Sequence, residues 1–358
     1  MRTGSRRIFV ALSLLAFAIS NLALASADSP SGIRKRCAFD IGSGETKVAA
    51  AEIDIRKSPA SVTKLLDKVV LIPFIKKMKN GFIPGELIHE AIKKIAELRT
   101  ECEAVGAEEF SGVATYPFRM AKNGREALAQ IANGTKVSLK VITDEQEATI
   151  AFRAAAHELK SDGKNLLVWD IGGGSQQMCM SLDGTTNDVS EFIVSSGHPG
   201  VESFRRESAK YLKRDPEKSV NPLNHEEMKQ AVQLARQLSL SINPKIRERL
   251  KRDRIRVIGL GGIHVESISA QAGLELKDGY KVYTLNRVRS AMDRATNMSD
   301  DNFRKAYPKN KYPESQATNV ALVLGYMEGL RIHEVVPLQV NLAHGLLVDS
   351  TFWRQQTK

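Results

Sequence analysis

Two short segments of the chain carry the same pattern: Asp40-Ile41-Gly42-Ser43-Gly44 and Asp170-Ile171-Gly172-Gly173-Gly174-Ser175. Glycines in a turn tolerate positive φ and let backbone N–H groups converge on an anion with no side chain in the way. An aspartate ending the preceding strand puts a carboxylate where a phosphate-bound cation would sit, and Mg²⁺ takes a few carboxylates together with waters and phosphate oxygens. One such turn is ordinary in a hairpin. Two copies in the same setting predict a phosphate chain held between duplicated loops, with Asp40 and Asp170 holding the cation.

The elements that position these loops follow from hydrophobic periodicity. Each loop lies between apolar runs, 37–39 and 48–51 in the first copy, 166–169 and 178–182 in the second, which reads as strand, glycine turn, strand. Further strands are predicted over 33–39, 46–53, 68–74, 110–115 and 137–142, with helices over 86–105, 119–131 and 145–159. A second unit repeats the order. It has strands over 165–170, 178–182, 189–194 and 256–259, helices over 200–212 and 226–250, and a helix from about His264. The last part reads as a helix over 317–333, a strand over 335–340 and a closing helix over 342–353. This alternation predicts an α/β protein of two duplicated units, each a mixed sheet flanked by helices.

Residues 1–27 stand apart. Arg2, Arg6 and Arg7 precede an apolar stretch from Ile8 to Ile19, and small residues close it around Ala25 and Ala27, the order of a secretory signal peptide. Ser5-Arg6-Arg7-Ile8-Phe9-Val10 also resembles a twin-arginine signal. The apolar core is short for a spanning helix, so the mature chain is expected in the periplasm or outside the cell with no stable membrane span. Residues 28–358 exceed what one core usually serves and divide into domains 28–160 and 161–358, hinged near 161–164 across a cleft, with the last helix packing back on the first domain.

Without the three leader arginines the formal charge falls from +11 to +8, which suits a polyanionic ligand. No arginine-rich tract, basic arm or zinc-finger spacing argues for nucleic acid, and a homodimer is left open. Cys37, Cys102 and Cys179 have no metal-ligand spacing. Cys37 and Cys179, on strands beside different loops, are expected as buried free thiols.

The two loops, with Val257-Ile258-Gly259-Leu260-Gly261-Gly262-Ile263, resemble the superfamily of actin, sugar kinases and chaperone ATPases, whose domains are actin-like (ribonuclease H-like). Residues 113–123 (VATYPFRMAKN) and 142–148 (ITDEQEA) narrow the resemblance to the exopolyphosphatase / guanosine pentaphosphate phosphatase family, well over 36–204 and loosely beyond. The resemblance implies hydrolysis of a phosphoanhydride in the interdomain cleft, with Mg²⁺ or another divalent cation and with polyphosphate or a phosphorylated nucleotide as substrate.

The family's catalytic carboxylate aligns with Glu147, an acceptor for the proton of an attacking water, and Arg119 matches an arginine whose planar fork suits phosphate oxygens. Asn123, one turn later, is expected to add a hydrogen bond to phosphate, with stabilising the helix start as the alternative. Ser43, Gly44, Glu45 and Thr46 are expected to offer backbone donors to one stretch of phosphates, Gly172 to Ser175 to the next, and Gly261 and Gly262 complete the set beside Gly42. Lys47 matches a basic family position but enters a strand, which leaves open whether it faces the cleft or turns away. Departures from the family are Gln177 for a cation-binding Glu, Gly44 for Asn, Ile263 for Thr, Gln146 for a second Glu, and a closing motif at 341–346 without its Arg-Glu pair. These leave open a second reading, a polyanion-binding module without turnover, and a third, an ATP-dependent kinase. His198 and His264 read as structural.

Overall fold

The computed structural model describes residues 32–57, 60–182 and 192–354, so the leader expected over 1–27 lies outside the described residues. Two mixed sheets flanked by helices make up an actin-like, two-domain architecture. The first holds β1 (Ile33–Ile41), β2 (Glu45–Asp54), β3 (Ser61–Leu71), β4 (Glu109–Ala114) and β5 (Ser138–Val141) in the order β3-β2-β1-β4-β5. The second holds β6 (Leu166–Ile171), β7 (Ser175–Ser181), β8 (Phe192–Pro199), β9 (Arg256–Leu260), β10 (Glu275–Lys277), β11 (Tyr280–Thr284) and β12 (Glu334–Pro337) in the order β10-β11-β12-β9-β6-β7-β8. The run β8-β7-β6-β9-β12 repeats β3-β2-β1-β4-β5, antiparallel on one side of the central strand and parallel on the other. Glycine hairpins join β1 to β2 and β6 to β7, so both loops occupy the same place in the two copies.

Central β1 is buried on both faces through Cys37, Ala38, Phe39 and Ile41, because helices cover each side. One core packs Phe39 and Val48 against the helix Gly85–Ala104. A second joins the sheets: Ala38, Ala49 and Ala51 from the first and Val168, Cys179 and Ile258 from the second meet the helices Asp144–Glu158 and Leu342–Val348. Alanines on both sides allow the close approach. Where these helices cross, a Cβ on Gly345 would lie 2.4 Å from the Ile150 carbonyl oxygen, so only glycine fits. The chain's last helices thus touch the first sheet, with His344 Nε2 3.1 Å from Asp67 Oδ2.

Several boundaries differ from the sequence expectation, each for a local reason. β3 begins at Ser61, not 68, because this edge strand is exposed and polar and carries little apolar alternation. The helix expected over 226–250 is two, His225–Ser239 and Pro244–Arg252, divided ahead of Pro244. The closing helix is divided at Asp349, whose Oδ1 accepts from the N–H groups of Thr351 and Phe352 at 3.0 Å each while Oδ2 takes Arg153 at 2.6 Å. The segment from His264 is a π-helical turn, Ile263–Ile268.

The cysteine expectation is corrected in part. Cys37 is not a free thiol: it forms a disulfide with Cys102, tying β1 to the helix Gly85–Ala104 across a sequence separation of 65. The two residues lie far apart in sequence, and only the packing of that helix on β1 brings them together. Cys179 is free and buried, and burial pushes its thiol pKa far up.

Candidate active site

The two hairpins are built alike. Gly42 N–H donates to the Glu45 carbonyl at 3.0 Å, and Gly172 N–H to the Ser175 carbonyl at 2.9 Å. The carbonyls at each tip are drawn backwards. Ile72 and Ile75 N–H groups bond the Gly44 and Ser43 oxygens, while Gly200, Val201 and Glu202 N–H groups bond those of Gly174, Gly172 and Gly173. With the carbonyls engaged, the N–H groups of Ser43, Gly44, Gly173 and Gly174 have no hydrogen-bond acceptor among the described residues. These four are the ready donors, whereas Glu45 and Thr46 already belong to β2 and Thr46 pairs with Ile41. The tips face each other: a Cβ on Gly173 would stand 2.9 Å from Ser43 Cβ. Gly261, at φ +89°, joins them, since a Cβ there would meet the Ile171 oxygen at 2.3 Å and Asp170 Oδ1 at 3.4 Å. Gly262 lies beside it in more open space.

Glu147 lies in the first turn of Asp144–Glu158. Thr143 starts that helix with a capping box: Gln146 N–H reaches Thr143 Oγ1 at 3.2 Å and Gln146 Oε1 accepts from Thr143 N–H at 3.0 Å. Gln146 thus shapes the helix start and leaves Glu147 one residue further, turned inward and only 7 % exposed. Arg119 converges on the same point from the helix Tyr116–Met120. Its Nη1 donates to Glu147 Oε2 at 2.8 Å and to the Ile142 carbonyl at 3.0 Å, and its Nη2 donates to Asp144 and, at 3.4 Å, to Ser175 Oγ. Gln177 closes the ring from β7, Nε2 donating to Asp144 Oδ1 at 3.1 Å and Ser175 Oγ at 3.0 Å. A cavity of about 790 Å³ borders Arg119, Asp144 and Glu145 on the β5 side. Asp144 was not singled out in the sequence; its position three residues before Glu147 on a helix start is the signal that it shares that face.

Electrostatics separate the acids. Burial pushes Glu147 up to about 8, with Asp170 and Asp40 adding to the rise and Arg119 opposing it. Asp170 is pushed up to about 6 by burial, against Lys47 and with Asp40. Burial also raises Asp40, partly countered by Lys47. The direction of Lys47, open in the sequence, is resolved: it does not turn away. Asp40 pairs with Lys47 across β1 and β2, which puts both on one face, and Lys47 Nζ lies 3.6 Å from Asp40 Oδ2. Burial disfavours its charge, but Asp40, Glu45 and Asp170 outweigh that and raise its pKa.

The donor set fits a hard divalent cation. Asp40 raises the pKa of Asp170, and a cation held by the two carboxylates would offset that repulsion. Gln177 pairs with Asp170 across β6 and β7, and its Oε1 is buried with no hydrogen-bond partner among the described residues. Two carboxylates and an amide oxygen would complete such an ion's shell with water or phosphate oxygens.

Asn123 is a correction. It precedes the helix Gly124–Thr135 and spends its amide on Ile83, accepting from its N–H at 2.9 Å and donating to its carbonyl at 3.0 Å, so it is not offered to phosphate. His198 sits between Ser195 Oγ at 2.9 Å and Ser241 Oγ at 3.4 Å, and His264 is enclosed with Trp169 and Tyr283; both serve packing.

A model of the Ppx/GppA phosphatase family matches residues 50–352. Among solved structures, the Ppx/GppA family member of Aquifex aeolicus superposes with a TM-score of 0.68 at 21 % identity, covering 90 % of this chain and 99 % of that one. An exopolyphosphatase from Cytophaga hutchinsonii gives 0.68 at 14 % identity, with 88 % and 96 % covered. At these identities the superpositions speak for the fold.

Proposed function

Because the chain belongs to the Ppx/GppA phosphatase family, we propose that it hydrolyses phosphoanhydrides in this cleft, releasing terminal phosphate from inorganic polyphosphate or a polyphosphorylated guanosine nucleotide. The observation that carries the reading is Glu147: a buried carboxylate with a raised pKa, beside Arg119 and Ser175 and near two hairpins with unengaged N–H groups. A carboxylate that ionises near neutral pH accepts a proton from water more readily than an ordinary one. Glu147 takes the water's proton, Arg119 orients Glu147 and contacts the phosphoryl oxygens, and the Gly173, Gly174 and Ser43 amides neutralise charge on the chain. A divalent cation held by Asp40, Asp170 and Gln177 would neutralise phosphate charge when bound.

We also propose that the chain is exported. The leader pattern supports this, as does the Cys37–Cys102 bridge, since disulfides persist in oxidising compartments. ATP is scarce there, which disfavours the kinase reading. The binding-module reading draws on Gln177, whose neutral amide ties Asp144 to Ser175 where a carboxylate would add charge to the cation site.

The test is phosphate release from inorganic polyphosphate with Mg²⁺, comparing wild type with Glu147→Gln. Release by the wild type and none by the variant supports hydrolysis. A wild type that binds polyphosphate but releases nothing from any phosphoanhydride replaces the enzyme with the module.

A further inference from the structure

Each glycine tip is roofed by a tyrosine from the other half of the molecule. Tyr116, following β4, covers Gly174, where a Cβ would strike Tyr116 Cδ1 at 2.1 Å. Tyr312, just before the short turn Pro313–Ser315, covers Gly44, where a Cβ would meet Tyr312 Oη at 3.1 Å. The two roofs differ in chemistry. Tyr116 presents its ring, an apolar packing surface, while Tyr312 presents its hydroxyl.

Gly44 is not required by its backbone, which does not have positive φ. The missing side chain instead admits that hydroxyl. Among the described residues nothing hydrogen-bonds Tyr312 Oη, so the donor stands beside the unengaged N–H groups of Ser43 and Gly44. Two lysines flank it. Lys76 Nζ lies 4.5 Å from the Tyr312 ring centroid and pairs with Glu314, and Lys311 Nζ lies 2.6 Å from Glu45 Oε1. Burial, with Glu45 and Glu314 nearby, pushes the phenol up to about 12, so it remains a proton donor at neutral pH.

Arg119 links Glu147 to Ser175 of the second hairpin, so the reacting phosphoryl group belongs on that side and the rest of a phosphate chain on the first. We propose that Tyr312 Oη donates a hydrogen bond to a non-reacting phosphate held at the first hairpin, with Lys76 and Lys311 released from Glu314 and Glu45 to share its charge. This rests on the phosphoanhydride reading of the cleft and adds to it a residue that sets affinity for the phosphate tail.

Tyr312→Phe removes only the hydroxyl and keeps the ring against Lys76. With inorganic tripolyphosphate and Mg²⁺, KM is expected to rise about tenfold, the scale of a lost hydrogen bond to a charged group, with kcat unchanged. Calorimetric binding of tripolyphosphate on a Glu147→Gln background should weaken by the same factor. Gly44→Ala crowds the hydroxyl at 3.1 Å and should give a smaller loss of the same kind, and the double variant should be no worse than Tyr312→Phe alone. Unchanged tripolyphosphate affinity in Tyr312→Phe, or additive losses in the double variant, overturns the proposal while leaving the hydrolase intact. A wild type that neither binds nor cleaves tripolyphosphate overturns both, and the Glu147→Gln comparison tells the two failures apart.

Discussion

The two hairpins share a backbone and differ in what they carry at equivalent positions. Opposite Asp40 the first has Lys47; opposite Asp170 the second has Gln177. The strand leading into the first is bridged by Cys37–Cys102, while the second copy has the buried free thiol Cys179. At the position opposite its aspartate the first copy carries a cationic side chain, and it is covalently braced. The second carries a neutral amide there and meets Arg119 and Asp144, and Arg119 links it to Glu147. On the proposed reading, this duplicated frame gives two anion cradles of one geometry, and charge at a single register position divides holding from reacting.

The division breaks most sharply at Glu147. If chemistry belongs to the second hairpin's side, Glu147→Gln should lower kcat by about 10²–10⁴-fold, the usual worth of a positioned base, and leave polyphosphate affinity within about threefold. Loss of binding together with turnover would show that Glu147 serves both cradles. Wild-type activity should rise with pH through about 8 as the carboxyl ionises. Stability runs the other way. An acid with a raised folded-state pKa keeps its full contribution below its ordinary value of 4.5 and loses it as pH climbs through about 8, so thermal stability should fall across that window and Glu147→Gln should flatten the fall.

Removing the brace is the next largest effect. Cys37→Ser with Cys102→Ser should cost about 2–4 kcal/mol of stability by denaturant titration, because the bridge restrains the unfolded chain across a long loop. Cys179→Ser, in the second copy, should change turnover little and slow thiol labelling of the folded protein not at all, since the thiol is buried and its pKa raised. Equal sensitivity of both copies to thiol loss would remove this half of the contrast.

Much of this was legible in the sequence because duplication repeats a local signal. The paired Asp-Gly turns foretold both hairpins, and periodicity in residues 86–105 and 145–159 foretold the helices that cover them. What stayed hidden depends on tertiary meeting. Cys102 finds Cys37 only through helix packing, and Tyr312 comes from a loop far along the chain with no motif of its own. Asn123 shows the converse: it sits in a family-like segment, yet the turn at Ile83 takes its amide. Lys47 was within reach, because a two-residue hairpin tip fixes the register and sets it opposite Asp40.

The two smaller predictions act on that register position in each copy. Lys47 Nζ would compete with a bound cation for Asp40 and, on the proposed reading, reach phosphate, so Lys47→Met should raise KM for tripolyphosphate about tenfold through a lost charge-assisted contact and lower the Mg²⁺ concentration giving half-maximal activity. Opposite shifts of this kind need a readout that separates metal from substrate, and a Mg²⁺ titration at saturating substrate provides it.

Gln177→Glu is the mildest and the most diagnostic. The new carboxylate would face Asp144 Oδ1, now 3.1 Å from the Gln177 Nε2 that donates to it, and would replace an attraction by repulsion at a site 1 % exposed. Without divalent cations the variant should lose about 1–3 kcal/mol, the penalty for breaking a buried hydrogen bond to a charged group. With Mg²⁺ the same carboxylate sits across from Asp170 and adds a hard oxygen ligand, so stability should return and the Mg²⁺ requirement should fall severalfold. A loss that Mg²⁺ does not restore would place the cation away from the second hairpin, and the two copies would then differ in packing alone.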